Sequence, residues 1–246
     1  MRSFVIGLVM AGTALVPVST LAQVNPYGSS GKGKIYGLDL TVLQGPDSTP
    51  ARIAIVMDFS GSMSGQSGSR TEQSVTSRIE RGLGGMIGGR AGAEVSDQLR
   101  ERRQKAEEAI REVASGVDGL PDGTWFNVIT FESQPHPWQP SLVEATDEIK
   151  EEAKDYFDDL EPTGGTAMIP ALEEAFAEGP DFIVLVSDGE PNEGSQAVLE
   201  RVTELNADDA VVVHTIGIGE DHDRDFMETL AEQNGGETHT RGAGIF

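Results

Sequence analysis

Apolar residues recur along this chain in short continuous runs separated by amphipathic stretches. The runs lie at 52–57, 125–131, 182–186 and 211–218, and they are rich in Val, Ile and Phe. Continuous apolar runs of this length are typical of strands that are covered on both faces, as in a parallel sheet. The pattern therefore predicts four buried strands.

The stretches around these strands carry the spacing of helices that are apolar on one face. They lie at 98–113, 147–160, 169–177, 196–205 and 223–233, and some open with an acid and close near Gly or Asn. Alternation of strands and helices predicts an α/β fold, a doubly wound and mostly parallel sheet with helices on both faces.

Three segments fall outside this rhythm. Residues 1–22 combine Arg2, an apolar run and the small residues before Gln23, which predicts a cleaved signal peptide rather than a membrane anchor. Residues 23–50 are rich in Gly, Ser and Pro and are interpreted as an N-terminal linker or extension, with one strand-like stretch at 35–43. Residues 65–97 predict a flexible insertion in a domain that spans 51–246.

Composition narrows the range of functions. A length of 246 residues with 37% apolar content supports one large domain. The formal net charge of −23 disfavours nucleic acid and anionic lipid as partners and favours cations or basic protein surfaces. The chain has no cysteine, which excludes disulfides, a lipoprotein anchor and thiolate zinc sites.

Candidate chemistry follows the strands, at the sheet edge where ligands bind in open α/β folds. Asp58, Ser60 and Ser62 follow the first strand with alternate spacing, and Asp188 follows the strand at 182–186. A glycine-containing loop at 162–168 adds a threonine hydroxyl from Thr163 or Thr166. Carboxylates and hydroxyls form an all-oxygen ligand set that suits Mg²⁺, with Ca²⁺ or Mn²⁺ as alternatives.

These motifs resemble the metal-ion-dependent adhesion site of von Willebrand factor type A (VWA) domains, here of a bacterial secreted type. The resemblance covers roughly 51–240 and implies a six-stranded sheet of order 3-2-1-4-5-6, with a short antiparallel edge strand near 136–140. It implies that the metal ligands are Asp58, Ser60, Ser62, Thr166 and Asp188. Thr166 is preferred to Thr163 because it follows the glycine pair.

The resemblance implies binding rather than turnover. A partner protein would present an Asp or Glu to the ion, in adhesion or in assembly of an envelope complex, and the protein would be periplasmic or secreted. One alternative is a Mg²⁺-dependent phosphohydrolase of haloacid dehalogenase type, but its second carboxylate is replaced by Ser60. Another is a metal that only stabilises the fold.

Overall fold

The computed structural model describes residues 31–60, 90–160, 166–188, 191–219 and 222–240, with the backbone alone for 90–103. The predicted signal peptide at 1–22, most of the predicted insertion, and the candidate residues Ser62 and Thr163 lie outside the described residues. In the described part, none of the helices is both long and apolar enough to cross a membrane.

Strands and helices alternate along most of the described chain. The strands are β1 (Lys34–Ile35), β2 (Leu38–Asp39), β3 (Arg52–Asp58), β4 (Trp125–Phe131), β5 (Pro135–Pro137), β6 (Val143–Glu144), β7 (Phe182–Ser187), β8 (Val212–Gly217) and β9 (Thr238–Thr240). The α-helices are α1 (Arg90–Asp118), α2 (Asp147–Asp158), α3 (Met168–Ala177), α4 (Ser195–Leu205) and α5 (Arg224–Gln233). Two 3₁₀ turns, Leu40–Val42 and Pro46–Ser48, precede β3.

The main sheet has the strand order β5-β4-β3-β7-β8-β9. Neighbours from β4 to β9 pair in parallel, whereas β5 and β6 both pair antiparallel with β4. This confirms the doubly wound, mostly parallel fold and its antiparallel edge strand. The sheet contains seven described strands rather than six, because β6 adds a second short segment beside β4.

Strand β3 lies in the middle of the sheet and is covered on both faces. Ile53, Ile55 and Met57 pack with α1 and α2 on one face, and Ala54 and Val56 pack with α3, α4 and α5 on the other. All five side chains are completely buried. The continuous apolar run at 52–57 is the direct consequence of this double coverage.

The described part of the N-terminal extension packs against the domain. β1 and β2 form a hairpin through Tyr36 and Gly37, which both have positive φ, as a tight two-residue hairpin turn requires. Ile35, Leu38 and Leu40 are buried in the same apolar cluster as α1. The expected single strand at 35–43 is therefore wrong, because the left-handed turn folds the chain back after Ile35.

Helix α1 is longer than the sequence predicted. It starts at Arg90 rather than at residue 98, and it ends at Asp118 after 29 residues. Residues 90–97, predicted to belong to the insertion, are therefore helical. The pattern missed them because Gly92 and a run of preceding glycines conceal the start of the helix.

Candidate metal-binding site

The candidate residues lie at the edge of the sheet where the parallel strands end. Asp58 is the last residue of β3, and Ser187 is the last residue of β7. The two strands pair in register, with Met57 opposite Val186, so the next pair along the ladder is Asp58 and Ser187. Residues 129 positions apart in sequence are thereby brought into direct contact.

The carboxylate of Asp58 is completely buried and accepts hydrogen bonds from Ser60 and Ser187. The backbone N–H of Ser60 donates to Oδ1 at 2.8 Å, and the hydroxyl of Ser187 donates to Oδ2 at 2.7 Å. The first bond closes a local turn after the strand, and the second joins neighbouring strands. Together they give this carboxylate one orientation.

Burial, with the nearby negative charge of Asp188 as the second cause, raises the pKa of Asp58 from 3.8 to about 6, although the hydrogen bonds from Ser60 and Ser187 act to lower it. Removing a carboxylate from water disfavours its charged form, and a second carboxylate nearby disfavours it again. A cation bound between Asp58 and Asp188 would offset both the burial of the Asp58 charge and its repulsion from Asp188.

The hydroxyl-bearing candidates are also buried at this edge. Ser60 is 1% exposed, and the N–H of Phe59 before it donates to Phe131 O at 2.8 Å, which ties this turn to the end of β4. Thr166 is 7% exposed. Its carbonyl accepts from Asn192 N at 3.0 Å, and the N–H of the next residue, Ala167, donates to Glu132 O at 2.6 Å.

The structure thus places four predicted residues at one edge of the sheet: Asp58 and Ser60 at the end of β3, Thr166 just before α3, and Asp188 just after β7. Asp58 accepts a hydrogen bond from Ser60 and interacts with the charge of Asp188. Thr166 is joined to the loop that follows Asp188 by the backbone hydrogen bond from Asn192. Within the described ranges, no group of three or more His, Asp or Glu side chains could hold a metal ion. Any ion here would depend on hydroxyls as well as on two carboxylates, which fits a hard cation such as Mg²⁺.

Sequence reasoning did not assign a role to Ser187. The available signal was its position as the last strand residue before Asp188, in a parallel strand beside β3. Asp223 precedes α5 and caps it, because its Oδ1 accepts from Phe226 N at 3.1 Å. It also accepts from the Ser195 hydroxyl at 2.8 Å, and its N–H donates to Asp188 O at 3.3 Å, so it supports the site from outside.

These observations define a class of protein: a doubly wound α/β domain with a buried acidic and hydroxyl-rich edge. The family model for the von Willebrand factor type A domain matches residues 93–240, which is more than half of the chain. The chain belongs to this family. The match begins after β3, so the positions of Asp58 and Ser60 come from the structure rather than from the family model.

Among curated proteins, the chain is 29% identical over 147 residues to inter-alpha-trypsin inhibitor heavy chain H2 of Mesocricetus auratus, covering 54% of this chain and 16% of that protein. It is 34% identical over 118 residues to human von Willebrand factor A domain-containing protein 3A, covering 46% and 10%. The similarity thus spans a small part of each of these two relatives. Among solved structures, a von Willebrand factor type A protein from Catenulispora acidiphila superposes with a TM-score of 0.55 at 22% identity, covering 78% of this chain and 39% of that one.

Proposed function

We propose that this protein binds a partner protein through a divalent cation, most simply Mg²⁺, and is not an enzyme. VWA domains generally mediate protein–protein interaction or adhesion. The specific proposal is that an acidic side chain of the partner completes the coordination of the ion. The proposed ligands, directly or through water, are Asp58, Ser60, Ser62, Thr166 and Asp188.

The observation that carries the proposal is the state of Asp58. Its carboxylate is fully buried, its pKa is raised to about 6 by burial and by the charge of Asp188, and both of its oxygens accept a hydrogen bond. A buried charge is costly unless it is paired with an opposite charge. Two carboxylates would balance the charge of one divalent ion. Since the site would then carry no excess negative charge, it would not repel a further carboxylate from the partner.

The protein's own residues prepare this site before any partner arrives. Ser187 and the N–H of Ser60 orient Asp58, and the burial of Ser60 and Thr166 limits competition from water. When bound, the ion would supply a coordination position that accepts a partner carboxylate. Selectivity for the partner would then come from the surrounding loops.

Turnover of the haloacid dehalogenase type fits these residues less well. That chemistry uses a second carboxylate two positions after the first as general acid and base. Here the position is Ser60, whose backbone bonds Asp58 and whose side chain is buried. Asp58 and Ser60 are therefore better suited to bind a metal ion than to act as a nucleophile and a general acid.

The proposed location is outside the cytoplasm, in the periplasm or secreted. This rests on the signal-peptide pattern at 1–22 and on the expectation that cleavage leaves no membrane-inserted segment. Adhesion and assembly of an envelope complex are both consistent with such a location. The identity of the partner would distinguish adhesion from assembly.

The test compares the chain from Gln23 onward with its Thr166→Val variant. Mg²⁺ affinity is measured by calorimetry, and partners are captured from envelope extract in Mg²⁺ and again in EDTA. We expect weaker Mg²⁺ binding and loss of Mg²⁺-dependent capture in the variant, with unfolding in EDTA little changed. Thr203→Val is the control, since Thr203 is exposed and its hydroxyl donates to Leu199 O of its own helix at 2.8 Å.

Unchanged Mg²⁺ affinity in Thr166→Val would refute the assignment of Thr166 as a ligand. Mg²⁺ binding that raises the unfolding temperature without affecting any capture would leave the metal a role in stability alone. Absence of Mg²⁺ binding by the unsubstituted protein would overturn the proposal altogether.

A further inference from the structure

The loop that follows β7 caps helix α3, which begins just after Thr166 on another side of the site. Helix α3 begins directly after Thr166 and Ala167, and the Ala167 side chain provides no N-terminal cap. The first two helical N–H groups, of Met168 and Ile169, donate instead to the Glu193 carboxylate at 3.4 and 3.3 Å. An anionic acceptor is favourable here because a helix N-terminus presents unsatisfied N–H groups and a partial positive charge.

The same loop also contacts Thr166 itself. The N–H of Asn192 donates to the carbonyl of Thr166 at 3.0 Å, one residue before Glu193. A turn presents both groups: Gly194 N donates to Pro191 O at 3.0 Å, and Gly194 has a positive φ of 87°. Thr166 is thus attached on its C-terminal side to the loop that begins with Asp188.

The far end of this turn is anchored. Ser195, the first residue of α4, donates its hydroxyl to Asp223 Oδ2 at 2.8 Å. Asp223 in turn donates its N–H to Asp188 O at 3.3 Å and caps α5. The turn that carries Glu193 is therefore hydrogen-bonded on both sides of this residue, at Asn192 and at Ser195. A turn held in this way can hold the start of α3 in place.

We propose that Glu193 is a positioning residue for Thr166: its carboxylate joins the start of α3 to the Asp188 loop and thereby sets the distance between the Thr166 hydroxyl and the two carboxylates. This rests on the proposed function, and it adds a residue outside the proposed set of metal ligands. A shift of the α3 start would change the position of the Thr166 hydroxyl relative to Asp58. Outer residues that orient metal ligands commonly affect metal affinity in this way.

Two simpler effects of Glu193 must be separated from positioning. Glu193 is exposed, and its negative charge attracts cations to this edge whether or not it caps α3. It also stabilises α3 as any cap does. Positioning differs from both because it acts through the Thr166 hydroxyl and disappears when that hydroxyl is absent.

The experiment is a double-mutant cycle on Mg²⁺ affinity, measured by calorimetry on the chain from Gln23 onward. The single variants are Glu193→Ala, Glu193→Gln and Thr166→Val, and the two double variants combine Thr166→Val with each of the Glu193 substitutions. We expect Glu193→Ala to weaken Mg²⁺ binding by about tenfold, the scale on which outer residues act, and to have little further effect in the Thr166→Val background. Glu193→Gln, which loses the charge but keeps one acceptor oxygen, should recover part of the affinity.

Thr146→Val is the control for cap loss elsewhere. Thr146 Oγ1 accepts from Ile149 N at 3.3 Å and caps α2, which lies on the opposite face of the sheet from α3. We expect this variant to unfold at a lower temperature with unchanged Mg²⁺ affinity. An equal loss of Mg²⁺ affinity in Thr146→Val would reduce the effect of Glu193 to general stability.

Three further results would overturn the inference while leaving the proposed function intact: unchanged affinity in Glu193→Ala, an undiminished effect in the Thr166→Val background, or equal losses in Glu193→Ala and Glu193→Gln. The last would show an effect of charge alone. If the unsubstituted protein binds no Mg²⁺, the proposed function and this inference both fall.

Discussion

Replacing Asp58 with Asn should stabilise the metal-free protein and abolish its stabilisation by Mg²⁺. The substitution removes a buried negative charge but keeps the size and shape of the side chain. An amide oxygen still accepts from Ser60 N, and the amide nitrogen can donate to the Ser187 hydroxyl, which then accepts rather than donates. Both hydrogen bonds therefore have a counterpart in the Asp58→Asn variant.

The magnitude comes from the pKa of Asp58. Burial, with the charge of Asp188 second, raises this pKa from 3.8 to about 6. At 1.36 kcal/mol for each pKa unit, ionised Asp58 costs the metal-free protein about 3 kcal/mol of unfolding free energy. Allowing for the cost of burying the amide, we expect a gain of about 2 kcal/mol, or about 4 to 8 °C for a domain of this size.

The pH dependence follows from the direction of the shift. Because its pKa is raised on folding, Asp58 binds its proton more tightly in the folded state than in the unfolded state. The cost is absent below the unfolded pKa of about 4, grows as the pH rises, and is complete above about 6. The advantage of Asp58→Asn should therefore be full at pH 8 and small at pH 4.5.

The assay is thermal unfolding of both proteins at pH 8 and at pH 4.5, in EDTA and in excess Mg²⁺. Ligand at 100 times its dissociation constant adds about 2.7 kcal/mol, so Mg²⁺ should restore the unsubstituted protein at pH 8 and leave Asp58→Asn unchanged. Asp209→Asn is the matched control, since Asp209 is exposed and its positive φ of 53° is well tolerated by Asn. The reasoning would be refuted by a lower unfolding temperature of Asp58→Asn in EDTA at pH 8, or by equal Mg²⁺ stabilisation of both proteins.

Two further substitutions test the packing around the site. Leu40→Ala should cost about 2 to 5 kcal/mol in urea unfolding, because Leu40 is 1% exposed in the apolar cluster with α1; an unchanged midpoint would show that the extension contributes nothing to the domain core. Asn206→Ala should cost at least about 2 kcal/mol, since the buried amide bonds Val211 O at 2.8 Å, Val211 N at 3.0 Å and Asn234 Oδ1 at 2.8 Å. Its Mg²⁺ affinity should stay the same, and a change in that affinity would contradict the separation of this network from the metal edge.

The main fold could be read from the sequence because each central element depends on its own residues. The run at 52–57 predicts a strand covered on both faces, and Ile53, Ile55 and Met57 are indeed completely buried. Helices α2 to α5 begin within one residue of their predicted starts, since their apolar residues recur with the helical period. The positions of Asp58 and Asp188 after two such strands also predicted that they share one edge, although their binding of a metal stays a prediction.

Only the tertiary structure determined the surroundings of these residues. The raised pKa of Asp58 depends first on its burial within the sheet and then on the charge of Asp188. Asp188 and Ser187, which donates a hydrogen bond to Asp58, both lie far from it in sequence. The cap from Glu193 likewise joins residues that are 24 and 25 positions apart. Local patterns record which residues are apolar, acidic or helix-forming, but distances and burial arise only when separate strands pair and their loops meet. That is why the sequence identified the acids and hydroxyls of this edge, while their charge state and their supporting contacts emerged only from the fold.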